Sequence, residues 1–337
     1  MSERITPEAF TAALIHDGVI AANAAPLPPQ PEDRPWFVSA LQGIAGWLAG
    51  IFTLIFIGAA FEPHDAASFI IFAALLLSAA FALYFSAQNN TFLDQLALAA
   101  SMAGQISATM GFATGMHHSL SIPAAGVAVM QCALVILMPN HLARSIAAFF
   151  ACVAWSLTIR FAWWGEAETW DAAQHAVSLI PALIGWVVIW IPVAVGCIVA
   201  ILEEARWTGQ PAARIVRPAL SGMLLALTFG TFASEPLDAF GWMLTSRPPV
   251  QNWLVLWPLL NAAAALLAGF GAFHLRNKAL MGIAVAAALL HVGQFYFLLG
   301  TSLVMKSVIM AVVGMILLGG GLFLGHRGST AQSEVTP

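Results

Sequence analysis

The chain has 337 residues, 60% of them hydrophobic and only 8% charged, with a formal net charge of −4. Ordinary soluble domains carry about 25% charged residues, so a soluble fold with a covered core of this size is excluded. Apolar runs long enough to cross roughly 30 Å of hydrocarbon recur from Trp36 to Gly325; they are solid rather than alternating, which excludes a transmembrane β-barrel.

Residues 1–35 are polar and carry Glu3, Arg4, Glu8, Asp17, Glu32, Asp33 and Arg34. No cleavable signal peptide is therefore expected, and the first apolar span acts as an uncleaved anchor. TPEAFTAALIHDG reads as a short amphipathic helix: Thr6 is an N-cap, Pro7 suits the first helical position and Gly18 ends it. Phe10 and Leu14 share one face of it. Five prolines between Pro26 and Pro35 then make an extended, semi-rigid linker. The expected organisation is a cytoplasmic head and linker over 1–35, a membrane domain over 36–325 and a short polar cytoplasmic tail over 326–337.

The fold class predicted is all-α, a polytopic integral membrane helical bundle of ten transmembrane helices. They fall near 37–60, 67–87, 92–112, 120–139, 142–162, 175–201, 215–233, 253–273, 279–299 and 303–325. The sixth holds Pro181 and Pro192, which predict a tilt or kink. Ten spans put both termini on one side. With that side cytoplasmic, the inner segments hold nine basic residues: Arg4, Arg34, Arg144, Arg206, Arg214, Arg217, Arg276, Lys278 and Arg327. The outer segments hold only Arg160, Arg247 and Lys306. The positive-inside rule then places both termini in the cytoplasm.

At the start of the third span, Thr91 and Asp94 have the spacing of a capping box, with the carboxylate at the helix's positive end. Further along, Ser101 and Gln105 share a face with Ala97 and Ala108, a small polar stripe of the kind that packs helices in membranes. Gly46 and Gly50, and Gly321 and Gly325, repeat the small-xxx-small spacing in the first and last spans. Gln131, Asn261 and His291 complete the polar groups expected inside the bilayer.

The outer loops gather histidines and carboxylates: His64 and Asp65 in the first, His117 and His118 in the second, His175 beside Glu166, Glu168 and Asp171 in the third. Imidazole and carboxylate suit divalent metals, but the spacing matches no short ligand motif, and solvated outer loops carry the same residues. Cys132, Cys152 and Cys197 lie inside apolar spans and are odd in number, so neither a disulfide framework nor a zinc ribbon is available. GxSxG, P-loop, GxGxxG and HExxH templates are absent. No span has Asp or Glu near its middle, which weighs against a proton-coupled pump. Interrupted segments at corresponding places, the mark of inverted-repeat transporters, are not evident. No cofactor is expected, and nothing points to nucleic acid.

One charge stands out. The apolar run from Ala279 to Gly325 is 47 residues, roughly 70 Å as a single helix, so it must turn, and Gly300-Thr301-Ser302 is its only small, polar break. Tyr296 then sits near the aromatic belt, and Lys306 lies about one turn inside the membrane, within reach of the interface by its own stem. Three readings stand: an interfacial anchor, a pair with Gln294, or a working cavity lined by Lys306, Gln294 and His291, the last two sharing a helix face.

GTSLVMKSVIMAVVGMILL, with FYF before it, resembles the C-terminal signature of bacterial multi-pass membrane proteins in domain-of-unknown-function family 4401, and the related family 2157 shares much of it. FLDQLALAASMAGQ, residues 92–105, is similar to an internal motif of the same families. The matching positions are Gln95, Gly104, Gln105, Tyr296, Gly300, Lys306 and Ser307; where the pattern often carries a basic residue, this chain has Asp94. The resemblance implies no activity. It implies a bacterial inner (cytoplasmic) membrane location and a partner, since members are often encoded beside other small membrane proteins. The leading expectation is thus a non-enzymatic subunit, with the lipid bilayer and another membrane protein as partners. A transporter or channel around His291, Gln294 and Lys306, and a membrane enzyme acting on lipid or envelope substrates at the outer face, are the alternatives.

Overall fold

The computed structural model describes residues 36–86, 90–115, 119–164, 179–234, 253–299 and 302–309, with Ile15 and scattered positions between 311 and 319. The helices, numbered here in chain order, are α1 (Trp36–Phe61), α2 (Ala66–Ser86), α3 (Thr91–Gly115), α4 (Ser121–Leu137) and α5 (His141–Trp164). Next come α6 (Leu179–Leu202), the single turn α7 (Glu204–Trp207) and α8 (Ala213–Ala226). Two 3-10 segments, Gly230–Ser234 and Trp253–Leu256, precede α9 (Trp257–His274) and α10 (Lys278–Leu298). Residues 303–309 are helical too, and no strand occurs among the described residues. Seven of these helices, α1, α2, α3, α5, α6, α9 and α10, are long and apolar enough to cross a membrane. The head and tail expected at 1–35 and 326–337 lie outside the described residues, apart from Ile15.

Short polar side chains start several helices by accepting backbone N–H groups that have no intrahelical partner. Asp65 accepts from Ser68 at 2.8 Å and Asn140 from Leu142 at 2.8 Å. Asn277 accepts from Leu280 at 3.1 Å. The capping box expected at Thr91 and Asp94 is displaced by one residue. Asn90 accepts from Phe92 at 3.0 Å and so takes the cap, leaving Thr91 as the first helical residue. Asn competes well for such positions because its short amide folds back onto the first turn.

Many large apolar side chains point outward, and much of the interior is small or polar. Phe52 and Leu289 are 67% and 61% exposed, whereas Ala265 on α9 packs with Ala287 and Ala288 on α10 in a buried cluster. Hydrocarbon solvates Leu and Phe as well as a protein core does, so close packing of small residues drives association instead. Gly46 and Gly50 follow this logic within the chain: an added Cβ at Gly50 would collide with Ala99, and one at Gly46 with Gln95 and the Phe92 carbonyl. The expected glycine seam of the first span therefore packs α1 on α3. Gly321 and Gly325 lie outside the described residues.

The span predicted at 215–233 is not one helix. α8 ends at Ala226, after 14 residues, and the chain continues as the 3-10 segment Gly230–Ser234. Three hydroxyls spaced three apart cause this. Thr231 Oγ1 donates to the Thr228 carbonyl and Ser234 Oγ to the Thr231 carbonyl, both at 2.8 Å, and Thr228 Oγ1 donates to the Leu225 carbonyl. Such back-bonds to residue i−3 tighten the chain from 3.6 to 3 residues per turn.

α5 holds this interrupted span along its length. Gly222 of α8 lies against Ser145, Ala148 and Phe149 of α5 with no room for a Cβ. Pro218, inside α8, has no N–H and so leaves the Arg214 carbonyl without its helical donor; the Arg144 guanidinium on α5 donates to that carbonyl instead. At the other end of α5, Arg160 donates to the Ala233 carbonyl at 3.0 Å.

Candidate intramembrane polar site

Around the break, side chains from five elements converge in the interior. The 3-10 segment and the turn before it supply Thr228, Thr231 and Ser234, α5 supplies Arg160, α6 Trp190, α9 Asn261 and α10 His291 and Gln294. All are 5% exposed or less. His291 Nε2 lies 3.1 Å from Thr231 Oγ1 and 3.2 Å from the Thr228 carbonyl oxygen. The Thr231 hydrogen is already given to that carbonyl, so Nε2–H donates to the pair. On the other side of the ring, Nδ1 faces Gln294 Oε1 at 3.5 Å. Oxygen acceptors thus face both ring nitrogens, an arrangement that satisfies one N–H of a neutral imidazole and both of an imidazolium. Phe232 covers the ring at a centroid distance of 4.4 Å.

Two indoles of α6, one helical turn apart, close the site. Trp190 Nε1 donates to Ser234 Oγ at 2.7 Å and Trp186 Nε1 to Asn261 Oδ1 at 3.1 Å. Arg160 sits 5% exposed at the end of the 3-10 segment, where unpaired carbonyls favour a cation. One turn away on the same face of α5, the buried Ser156 hydroxyl has no hydrogen-bond partner.

The other candidates from the sequence fall elsewhere. Lys306 is half-buried on the helical stretch 303–309, with its ammonium 5.0 Å from the Tyr296 ring centroid. It lies with Tyr296, while Gln294 turns to His291. Ser101, Gln105 and Gln131 form a second buried chain: Gln105 Nε2 donates to Ser101 Oγ at 3.0 Å and Gln131 Nε2 to Gln105 Oε1 at 2.9 Å. Gln95 accepts from Trp47 Nε1 at 3.1 Å and Gly104 abuts Leu77, so the motif over 92–105 ties α3 to its neighbours.

Of the loop candidates, Asp65 caps α2, and hydrogen bonds from Ser68 hold its carboxyl below the usual aspartate range. His64 lies 3.7 Å from Glu62, both exposed. Among the described residues no three His, Cys, Asp or Glu side chains come together as a metal site. His117, His118 and His175 lie outside the described residues.

The sequence reading missed Arg160, Trp190, Thr228, Thr231 and Ser234. The charge count places Arg160 in the outer segments, but it falls within α5. The signal for the break was the hydroxyl at every third position from Thr228 to Ser234.

A family model, Domain of unknown function (DUF4401), matches residues 35–327. The chain belongs to that family. No curated protein and no solved structure matches it. The DUF4401 match covers the polar cluster, the interrupted span and both motifs over 92–105 and 300–318. Together with seven helices of membrane length, membership marks a multi-pass membrane protein of the DUF4401 family.

Proposed function

We propose that this protein is a non-enzymatic membrane transporter or channel whose binding point for a small polar solute is the cluster around His291. The observation that carries the reading is the interruption of the seventh span. Non-helical backbone at membrane depth is tolerated only where protein or a water-lined cavity satisfies it, and broken helices are where transport proteins build their sites. Here the break presents the Thr228 carbonyl and Thr231 hydroxyl to a buried imidazole. The unpaired Ser156 hydroxyl and the cationic Arg160 on the facing helix favour a polar or anionic solute.

The topology proposed is ten passages with both termini in the cytoplasm of a bacterial inner membrane. It counts the seven long helices, the 17-residue α4, the interrupted span and the helix that begins at 303. Contacts between Arg144 and Arg214 and between Glu204 and His274 bring three basic connections to one end, which supports the assignment.

The test is labelling of a single cysteine at Thr231 in a variant without Cys132, Cys152 and Cys197. A small charged methanethiosulfonate reagent added to membranes is expected to modify position 231, while a cysteine at the packed Ala265 stays silent. Equal silence at both positions would defeat the transport reading.

A second reading, a subunit bound to another membrane protein, is favoured by the family resemblance and by one face of α10. A Cβ added at Gly282 or Gly293 would meet nothing within 4 Å. Pull-down from gently solubilised membranes that repeatedly returns the chain alone would remove it.

A further inference from the structure

The end of the bundle opposite the His291 cluster carries an unneutralised basic pocket. A cavity of about 380 Å³ lies between the start of α8 and the α9–α10 turn, lined by Arg217, Ser221, Leu275, Arg276, Asn277 and Lys278. Among the described residues, the ion pairs nearby are Arg206–Glu203 at 2.8 Å and His274–Glu204 at 3.2 Å, and neither uses Arg217, Arg276 or Lys278. Three cations therefore face one polar space without a carboxylate.

A second cavity of about 650 Å³ shares Arg276, Asn277 and Lys278 but has an apolar wall of Phe270, Phe273 and Met281. The two phenylalanines are 58% and 69% exposed. Cationic and apolar halves thus meet along one edge, the shape that an amphiphile with an anionic head and a hydrocarbon tail fills.

The turn itself points the same way. Arg276 has φ +53°, a left-handed conformation in which glycine is the ordinary choice. The strain is held by backbone bonds from Arg276 to Phe273 at 3.0 Å and from Asn277 to Ala272 at 2.9 Å. An arginine standing where glycine is easier is an outlier that points to a use of its side chain.

We infer that this pocket binds the phosphate headgroup of an anionic phospholipid, with Arg217, Arg276 and Lys278 around the phosphate and an acyl chain along Phe270, Phe273 and Met281. Basic pockets between membrane helices recognise such headgroups. The site is independent of the solute-binding reading, and neither depends on the other.

The experiment uses the full chain in a mild neutral detergent, titrated with dioleoylphosphatidylglycerol or dioleoylphosphatidylcholine and read by native mass spectrometry. Wild type is expected to retain phosphatidylglycerol in preference to phosphatidylcholine. R217Q and K278Q should each lower that retention about fivefold. R276G should lower it equally while its thermal midpoint holds or rises, because glycine relieves the left-handed turn; this separates lost binding from lost folding. Equal retention of both lipids, or unchanged retention in all three variants, overturns the inference. Displacement of phosphatidylglycerol by millimolar sodium phosphate would make free phosphate the ligand and overturn the lipid assignment.

Discussion

His291 is a residue whose neighbours matter more than its own chemistry. Histidine at membrane depth is costly unless its nitrogens are satisfied. Here the satisfaction comes from a carbonyl and a hydroxyl sixty or so positions earlier in the chain. Thr231→Val keeps the shape of the side chain but removes the hydroxyl shared by His291 and the Thr228 carbonyl. A loss of about 1 kcal/mol is expected, the scale of hydrogen bonds inside membranes, measured by SDS unfolding in mixed micelles, with Thr231→Ser restoring most of it. Neither the pairing nor Arg160's place at the end of the 3-10 segment was legible locally, because an arginine near a helix end reads as an interfacial charge.

The elements differ in how much of them the sequence declared. Apolar length alone located the seven long helices within a few residues, since a membrane span needs about 20 apolar positions and little else. The seventh span misled for the same reason: it is largely apolar past Arg217, and hydropathy does not register hydroxyls that bond backward to the main chain. Glycines separate the elements further. Gly222→Ala would drive a Cβ into the Ser145 carbonyl and Ala148 on α5, and a loss of roughly 1–3 kcal/mol is expected from such overpacking. Gly282→Ala meets nothing within 4 Å and should stay within about 0.5 kcal/mol. Denaturation of the two variants side by side checks both; a neutral Gly222→Ala would mean that α5 does not hold the interrupted span.

For the whole molecule, the sharpest test is the passage of α10. A cysteine at Lys306 is expected to react with an impermeant thiol reagent in intact cells, and one at Lys278 only after permeabilisation. The reverse pattern inverts the protein, and reaction of both from one side removes α10 as a crossing. Class, membrane embedding and the seven long helices followed from composition and apolar length, because transfer from water to hydrocarbon is close to additive over residues and needs no partner. The family was likewise legible, in the two stretches 92–105 and 300–318. What the sequence could not rank was which polar residues belong together: it left Lys306 as an interfacial anchor, a partner of Gln294 or part of a cavity with Gln294 and His291, whereas the fold sets Lys306 on Tyr296 and turns His291 and Gln294 toward the interrupted span. Hydrogen bonds between helices depend on rotation and crossing, set by close packing of glycine and alanine on several helices at once. Those contacts exist only once the bundle is assembled, so only tertiary structure chose the site.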